Sequence, residues 1–328
     1  MAHETRKPSW KDLPHDFSHL VLRRQRRLRR HWHAAVRSYQ MMPRLAAVLL
    51  PELAELHHQH AIQGSIFIDK MAASSAPDAP GCILAVLIHG KDRSITFCRP
   101  GPGSRGSSCQ ASLPADIRGI AFSQGKFYAL TKDEGLFAIA IDDERERQQP
   151  AVSSVTRLID DTSFSPNFRL QHGSNNAVYS CRRRWYLVES RGRLLMVRRL
   201  LVGASGDVTY NLKVFRLDEY DGGAGAWTEL AKQGLDGEAL LVGKRGSVSV
   251  PAWWCVGAQE DCVYVFHDLA TTWWKSAADD PFRDAGVYSV RDRKIISRLP
   301  PARRTASPLG RWFPTWLYPS AAAYVRNS

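Results

Sequence analysis

Beyond about residue 62 the chain is a succession of short apolar runs separated by polar turns, and apolar residues at helical spacing become scarce. Eleven segments predict strands: Leu84–Ile88, Ser94–Cys98, Ile117–Ser123, Lys126–Thr131, Leu136–Ile141, Arg184–Glu189, Leu194–Leu200, Tyr210–Arg216, Glu238–Val242, Cys262–Phe266 and Val287–Val290. Glycine-bearing turns such as Ser123-Gln124-Gly125 and Ser190-Arg191-Gly192 punctuate them. Three units pair an aromatic-bearing strand with a second apolar strand across a polar turn. Their tyrosines are Tyr128, Tyr186 and Tyr264, at intervals of 58 and 78 residues, so no single period governs them. Hairpin after hairpin predicts an all-β architecture, a sandwich pair or a propeller. At about 40–45 residues per blade, residues 62–300 hold five or six blades. The tryptophans Trp253, Trp254, Trp273, Trp274, Trp312 and Trp316 read as ordinary core aromatics.

The N-terminal stretch follows a different period. Leu13-Pro14 precedes Asp16, and Pro14 suits an opening turn or a first helical position. Phe17, Leu20 and Val21 make one apolar stripe, and Leu28, Trp32, Ala35, Val36 and Tyr39 make a second. Two short amphipathic helices follow from this, joined across Arg23, Arg24, Arg26, Arg27, Arg29 and Arg30. So few apolar residues bury little surface alone, so the pair docks on the rest of the chain or offers its stripe to a partner.

The whole chain carries a net charge of +13 over 328 residues. Residues 1–60 hold 11 Lys/Arg and 5 Asp/Glu, a net +6, and the other 268 residues carry +7. The excess is therefore concentrated in the Arg23–Arg30 run, which reads first as a solvated helix face and second as a contact for an acidic partner. Nucleic acid is not the expected partner, although a basic balance invites that reading. No run of 18 apolar residues is present, so no membrane-spanning helix is expected. The N-terminus has no apolar segment of the secretory kind, and six scattered cysteines do not make a disulfide framework. A cytoplasmic or nuclear location is the expectation.

Two resemblances sharpen this picture. Leu13-Pro14-His15-Asp16-Phe17 resembles the opening of an F-box, and His31-Trp32-His33-Ala34-Ala35-Val36-Arg37-Ser38-Tyr39 resembles its closing stretch. Trp32, Val36 and Tyr39 stand where Phe, Cys and Trp are usual, and the arginine run replaces the usual middle, so the F-box is degenerate. The second resemblance spans about residues 82–316. Its motifs are Tyr186-Leu187-Val188-Glu189-Ser190 with Gly192 and Leu194–Val197, then Val214-Phe215 with Leu217-Asp218, and Trp227 with Glu229-Leu230. Glu238–Gly243, Ser247–Val250, Cys262–Phe266 with Asp268, Gly286–Val290 and Arg311–Pro314 complete the order. Upstream, Ile95–Pro100 and Gly125–Thr131 also fit, and motifs in this order resemble the plant F-box-associated β-propeller family named after the KIB proteins. A "Gly-x-Ser-x-Gly-Trp-Leu" run that relatives carry between Leu50 and Cys82 is absent here, so a shortened, incomplete propeller is expected.

The fold class expected is thus mainly β, a β-propeller-like domain preceded by a short α-helical F-box-like module. The expected layout is that module over 1–45, a linker over 46–80, the propeller over 81–318 and a tail over 319–328. The resemblance implies a substrate receptor for an SCF-type cullin ubiquitin ligase, with a Skp-type adaptor, a cullin scaffold and an unidentified target protein as partners. The adaptor contacts would be Leu13, Pro14, Phe17, Leu20, Trp32, Val36 and Tyr39. The alternative is a stand-alone interaction module that has lost the adaptor.

No catalytic residue, metal or cofactor is expected. Gly101-x-Gly103-x-x-Gly106 matches a dinucleotide fingerprint as a string, but Pro100 and Pro102 interrupt it and no helix opens after it. His57, His58 and His60 lack completing ligands for zinc. Asp160-Asp161 and Asp279-Asp280 read as solvated loops, and Cys255 and Cys262 as buried strand cysteines.

Overall fold

A computed structural model describes residues 67–75, 81–89, 94–99, 108–142, 150–160, 167–172, 177–203, 208–219, 223–230, 233–243, 246–254, 258–265 and 284–298. They form four sheets in chain order. The first runs β1 (Phe67–Ala73), β2 (Leu84–His89), β3 (Ser94–Cys98) and β4 (Ser108–Ala111), each antiparallel to the next. The second is β5 (Ile117–Ser123), β6 (Lys126–Thr131), β7 (Leu136–Asp142) and β8 (Ala151–Ile159). The third comprises β9 (Asn167–His172), β10 (Ala177–Ser190), β11 (Arg193–Gly203), β12 (Val208–Glu219) and β13 (Gly225–Glu229), again a meander. The fourth holds β14 (Glu238–Val242), β15 (Val248–Pro251), β16 (Cys262–Val265), β17 (Gly286–Ser289) and β18 (Lys294–Arg298) in the order β15-β14-β16-β17-β18. There β14 and β16 run parallel, because β15 folds back on the far side of β14.

The near-continuous apolar runs follow from where each strand sits. Along β2 and the two residues that lead into it, Ile83, Ala85 and Leu87 face the second sheet, while Cys82, Leu84, Val86 and Ile88 pack on the other face with Cys98, Met71 and Ala73. In β6, Phe127 and Ala129 join the first-to-second seam, while Tyr128 and Leu130 join the second-to-third seam. In β10, Trp185 and Leu187 turn to the second sheet, and Tyr186 and Val188 to the fourth. A period of two thus shares β6 and β10 between two seams, while the second faces of the first and fourth sheets are covered within their own sheets, so both faces of these strands are apolar.

The sheets succeed one another around a common centre. Strand β1 touches β5, β5 touches β10, and β10 touches β14 and β15, while β4, β8 and β13 meet farther out. The Lys70 ammonium of β1 lies 5.7 Å from the Tyr186 ring centroid of β10, which brings the first sheet to the third across that centre. The arrangement is propeller-like, with four blades among the described residues. Five or six blades were expected at a uniform period, but the third sheet alone takes residues 167–229, because β10, β11 and β12 are 14, 11 and 12 residues long. No strand pairing joins the fourth sheet to the first among the described residues.

Two hairpin turns have the chemistry the sequence suggested. Gln124 and Gly125 have φ of 47° and 78°, and Arg191 and Gly192 have 52° and 77°. Consecutive positive φ angles mark the two-residue turn whose twist matches antiparallel strands.

The seams differ in chemistry. The first-to-second seam is aromatic: the Phe97 and Phe127 rings meet edge-on at 5.2 Å, and Phe122 lies 4.8 Å from Phe127. The other two seams carry buried charge. Glu134, in the turn before β7, bonds Trp185 and Arg198 of the third sheet. Asp284, just before β17, bonds Arg199 and Thr209 of the third sheet. Close backbone packing also recurs: a Cβ on Gly286 would lie 2.7 Å from the Ser297 carbonyl oxygen across the β17–β18 pair. Gly286→Ala is therefore expected to cost about 1–3 kcal/mol in chemical denaturation of the full chain, as overpacking against rigid backbone does.

Several expectations need correction or lie elsewhere. The stretch read as a linker, 46–80, contributes β1 to the first sheet. Seven strands, β1, β4, β8, β9, β13, β15 and β18, fall outside the eleven segments predicted. Trp253, read as a core aromatic, is 81% exposed, because β15 ends at Pro251 and a 3-10 turn over Ala252–Trp254 breaks the alternation that would have buried it. The helical module over 1–45 and its candidate adaptor contacts lie outside the described residues, as do the Gly101–Gly106 string, His57, His58, His60 and Cys255. No α-helix occurs among the described residues, and no helix there is long and apolar enough to cross a membrane.

Candidate binding groove between the third and fourth sheets

An open groove of about 350 Å³ lies between the outer strands of the third and fourth sheets. That volume falls at the small end of the range typical of ligand pockets. It is lined from β12, the end of β13 and the β17–β18 turn. The floor is apolar: Leu212, Val214, Leu230, Val290 and the Tyr288 ring, all buried and all part of the core between the two sheets. The backbone at the floor is closed, since Leu230 N donates to Val214 O at 2.8 Å.

Register irregularities shape the mouth. In the β11–β12 pair, Leu200 faces Asn211 and Leu201 faces Thr209, so Tyr210 is an extra residue on its strand. Such a bulge re-aims a side chain, and Tyr210 is 69% exposed at the lip of the groove. A second irregularity, at Val287 and Tyr288 of the β17–β18 pair, lies on the opposite wall. The Tyr288 hydroxyl donates to Asn211 Oδ1 at 3.3 Å and so ties the two walls together. Burial is the main cause that pushes the Tyr288 phenol up to about 12; Arg293 opposes the rise and Glu229 adds to it. The phenol therefore stays a proton donor throughout the neutral range.

Three charges set the rim. Lys213 Nζ lies 2.7 Å from Glu229 Oε2, and Arg293 Nη2 lies 3.5 Å from Glu229 Oε1. The carboxylate thus sits between two cations, and the cluster keeps a net charge of +1. Arg293 occupies a left-handed backbone position, φ 54°, in the tight turn after β17, where Asp292 N also donates to Ser289 Oγ at 3.1 Å. That turn carries Arg293 toward the groove and Arg291 to the other side, where Arg291 Nε lies 2.6 Å from the sunken Asp261 carboxylate.

The arrangement offers an apolar slot, a hydroxyl-bearing ring at its lip and donors with unused hydrogens beside it. That is a binding geometry. Among the described residues no group of three or more His, Cys, Asp or Glu side chains gathers in a way that would hold a metal ion. Cys262 lies in β16 with its thiol pushed up to about 11, chiefly by burial and then by the charges of Asp261 and Asp292. Asp160 pairs with Arg157 at 3.1 Å on an exposed strand end. None of Leu13, Pro14, Phe17, Leu20, Trp32, Val36 and Tyr39 is among the described residues. The groove residues escaped the sequence reading because Lys213, Glu229 and Arg293 are brought together from β12, β13 and the β17–β18 turn and make no local motif. The one available signal was the exposed aromatic Tyr210 beside Asn211 inside an apolar strand.

The tracts that bear the sequence resemblance are the strands that build this region. Tyr186–Val197 forms the β10–β11 hairpin, Val214–Asp218 lies in β12, Trp227–Leu230 spans β13, and Gly286–Val290 covers β17. Comparison with curated proteins and with solved structures gives no match. A model of the KIB1-4 β-propeller family matches residues 20–289, which is most of the chain and includes every strand of the groove. The chain therefore belongs to the KIB1-4 β-propeller family.

Proposed function

We propose that this chain is the substrate receptor of an SCF-type cullin ubiquitin ligase, holding a target protein on its β domain while its N-terminal module holds a Skp-type adaptor. The observation that carries the reading is the open groove on a scaffold whose seams are locked by apolar packing and buried charge. Such a scaffold suits recognition, because rigid strands hold a site more precisely than loops do. Membership of a propeller family supports a protein-interaction role. The order Leu13-Pro14-His15-Asp16-Phe17 ahead of that domain supports the receptor role. The receptor itself performs no chemistry and acts by raising the effective concentration of target near a conjugating enzyme.

A second reading is favoured by one feature. Six arginines over Arg23–Arg30 stand where an F-box presents a mixed apolar surface, which supports a stand-alone interaction module that no longer binds the adaptor. Co-purification of the full chain with a panel of Skp-type adaptors separates the two. A stoichiometric complex is expected, and Leu13→Ala with Pro14→Ala should weaken it by about tenfold or more, the usual cost of removing interface anchors. A well-folded chain that retains no adaptor at all would leave the stand-alone reading.

A further inference from the structure

We propose that the groove between the third and fourth sheets takes an acidic segment of a partner protein, with one aliphatic side chain on the apolar floor and a carboxylate bridging Lys213 and Arg293. This rests on the proposed role of the β domain in holding a target, and it names the chemistry of that target.

The floor asks for an apolar group. Leu212, Val214, Leu230 and Val290, each buried in the core, edge the base of an opening of about 350 Å³ and leave a narrow apolar strip there; the opening accommodates a side chain and its flanking backbone but not a folded domain. Tyr210, turned outward by the bulge, covers one side of such a chain and offers its hydroxyl to a peptide group. At 69% exposure the Tyr210 ring has apolar surface left for an occupant of the groove to cover.

The rim asks for negative charge. Glu229 spends one oxygen on each cation, Oε2 on Lys213 and Oε1 on Arg293, and so holds them apart on either side. Lys213 has two further ammonium hydrogens, and the Arg293 side chain is 56% exposed with the rest of its guanidinium fork open. A second carboxylate bridging these donors completes an alternating arrangement of two cations and two anions. A basic segment would meet the net +1 of the cluster and be repelled. An amide in place of that carboxylate would keep the shape and lose the charge-assisted bonds, which are roughly twice as strong as neutral ones.

The probe is a short fluorescein-labelled peptide with a Glu-Glu-Leu-Glu core, titrated into the full-length chain. Its Gln-for-Glu and Lys-for-Glu counterparts serve as comparisons. The acidic peptide should bind about tenfold or more tighter than the Gln peptide, a gap that should narrow as salt rises. Lys213→Glu with Arg293→Glu should abolish binding of the acidic peptide and favour the Lys peptide. Tyr210→Ala should weaken the acidic peptide several-fold without changing its preference for charge. All three positions are at least partly exposed, so circular dichroism and unchanged denaturation midpoints will establish that the variants are folded. Replacing the six arginines of Arg23–Arg30 with Gln should leave this binding in place. Equal affinity for the acidic and Gln peptides would overturn the proposal. So would binding that survives Lys213→Glu with Arg293→Glu but vanishes with the arginine run. Neither result depends on the adaptor, so failure here and failure of the receptor reading are read separately.

Discussion

Replacing Asp284 with alanine is expected to destabilise the β domain by about 3–5 kcal/mol, the cost of breaking a buried ion pair from one side. The Arg199 and Asp284 side chains are 1% and 2% exposed and meet at 2.6 Å, with Arg199 on β11 of the third sheet and Asp284 leading into β17 of the fourth. The carboxylate has partners besides the arginine. Thr209 donates to it from its backbone N at 2.9 Å and from its hydroxyl at 2.5 Å, and Arg298 approaches at 3.2 Å. Arg199 is held in turn by the Thr209 hydroxyl at 2.7 Å and the Tyr186 hydroxyl at 3.3 Å. Without the Asp284 carboxylate, a guanidinium stays buried after losing its ion pair at 2.6 Å. Urea denaturation followed by tryptophan fluorescence reads the loss. The double variant Arg199→Met with Asp284→Leu should recover much of it, since removing both charges also removes the desolvation they impose. A loss below about 1 kcal/mol in Asp284→Ala would mean that Arg199 reaches water, and the clasp would not be what joins these sheets.

Glu134→Ala should be the second severe variant, at about 2–4 kcal/mol, through the seam between the second and third sheets. Glu134 is 5% exposed. Its Oε1 accepts from Trp185 Nε1 at 2.9 Å, and both oxygens accept from Arg198 Nη1, at 3.0 and 2.9 Å. The Arg198 guanidinium in turn lies 4.5 Å from the Phe215 ring centroid. Burial lowers the affinity of nearby Arg183 for its proton; the Glu134 charge offsets that effect, and the Arg198 charge adds to it. Losing the carboxylate therefore leaves an indole N–H without its partner and two arginines without their shared counter-charge. Glu134→Gln should fall between wild type and alanine, because it keeps an acceptor for Trp185. Glu134→Gly should cost less than Glu134→Ala, since the backbone here is left-handed, φ 67°, and glycine holds that conformation without a Cβ clash. Thermal unfolding of the three variants side by side checks the order: a glutamine variant as stable as wild type would remove the charge from the account, and an alanine variant as stable as the glutamine one would remove the Trp185 hydrogen bond.

Both clasps join residues distant in sequence, Glu134 to Arg198 and Arg199 to Asp284, and no local spacing announces either. The same holds for the groove. Its apolar floor belongs to strands the sequence predicts, yet its rim comes from β12, β13 and a turn after β17, and its lip depends on one extra residue in a strand pair.

What the sequence determined by itself is the set of strands with two covered faces. The eleven predicted segments correspond to the ten strands that have a neighbour on each side, plus β5, which packs against β1 and β10. Most of them are apolar at successive positions because both of their faces are covered, by a neighbouring sheet or by residues of their own, and that demand is written locally. The seven unpredicted strands are all outermost in their sheets. Strand β8 is exposed over most of its length and β18 at both ends, so hydrogen bonds to a neighbour, rather than burial, hold them extended. Backbone pairing leaves little mark on side-chain choice, and the tertiary structure alone decided it. It also decided the number of residues per blade, the partners of the buried charges and the groove, because each depends on which distant strands come to lie side by side.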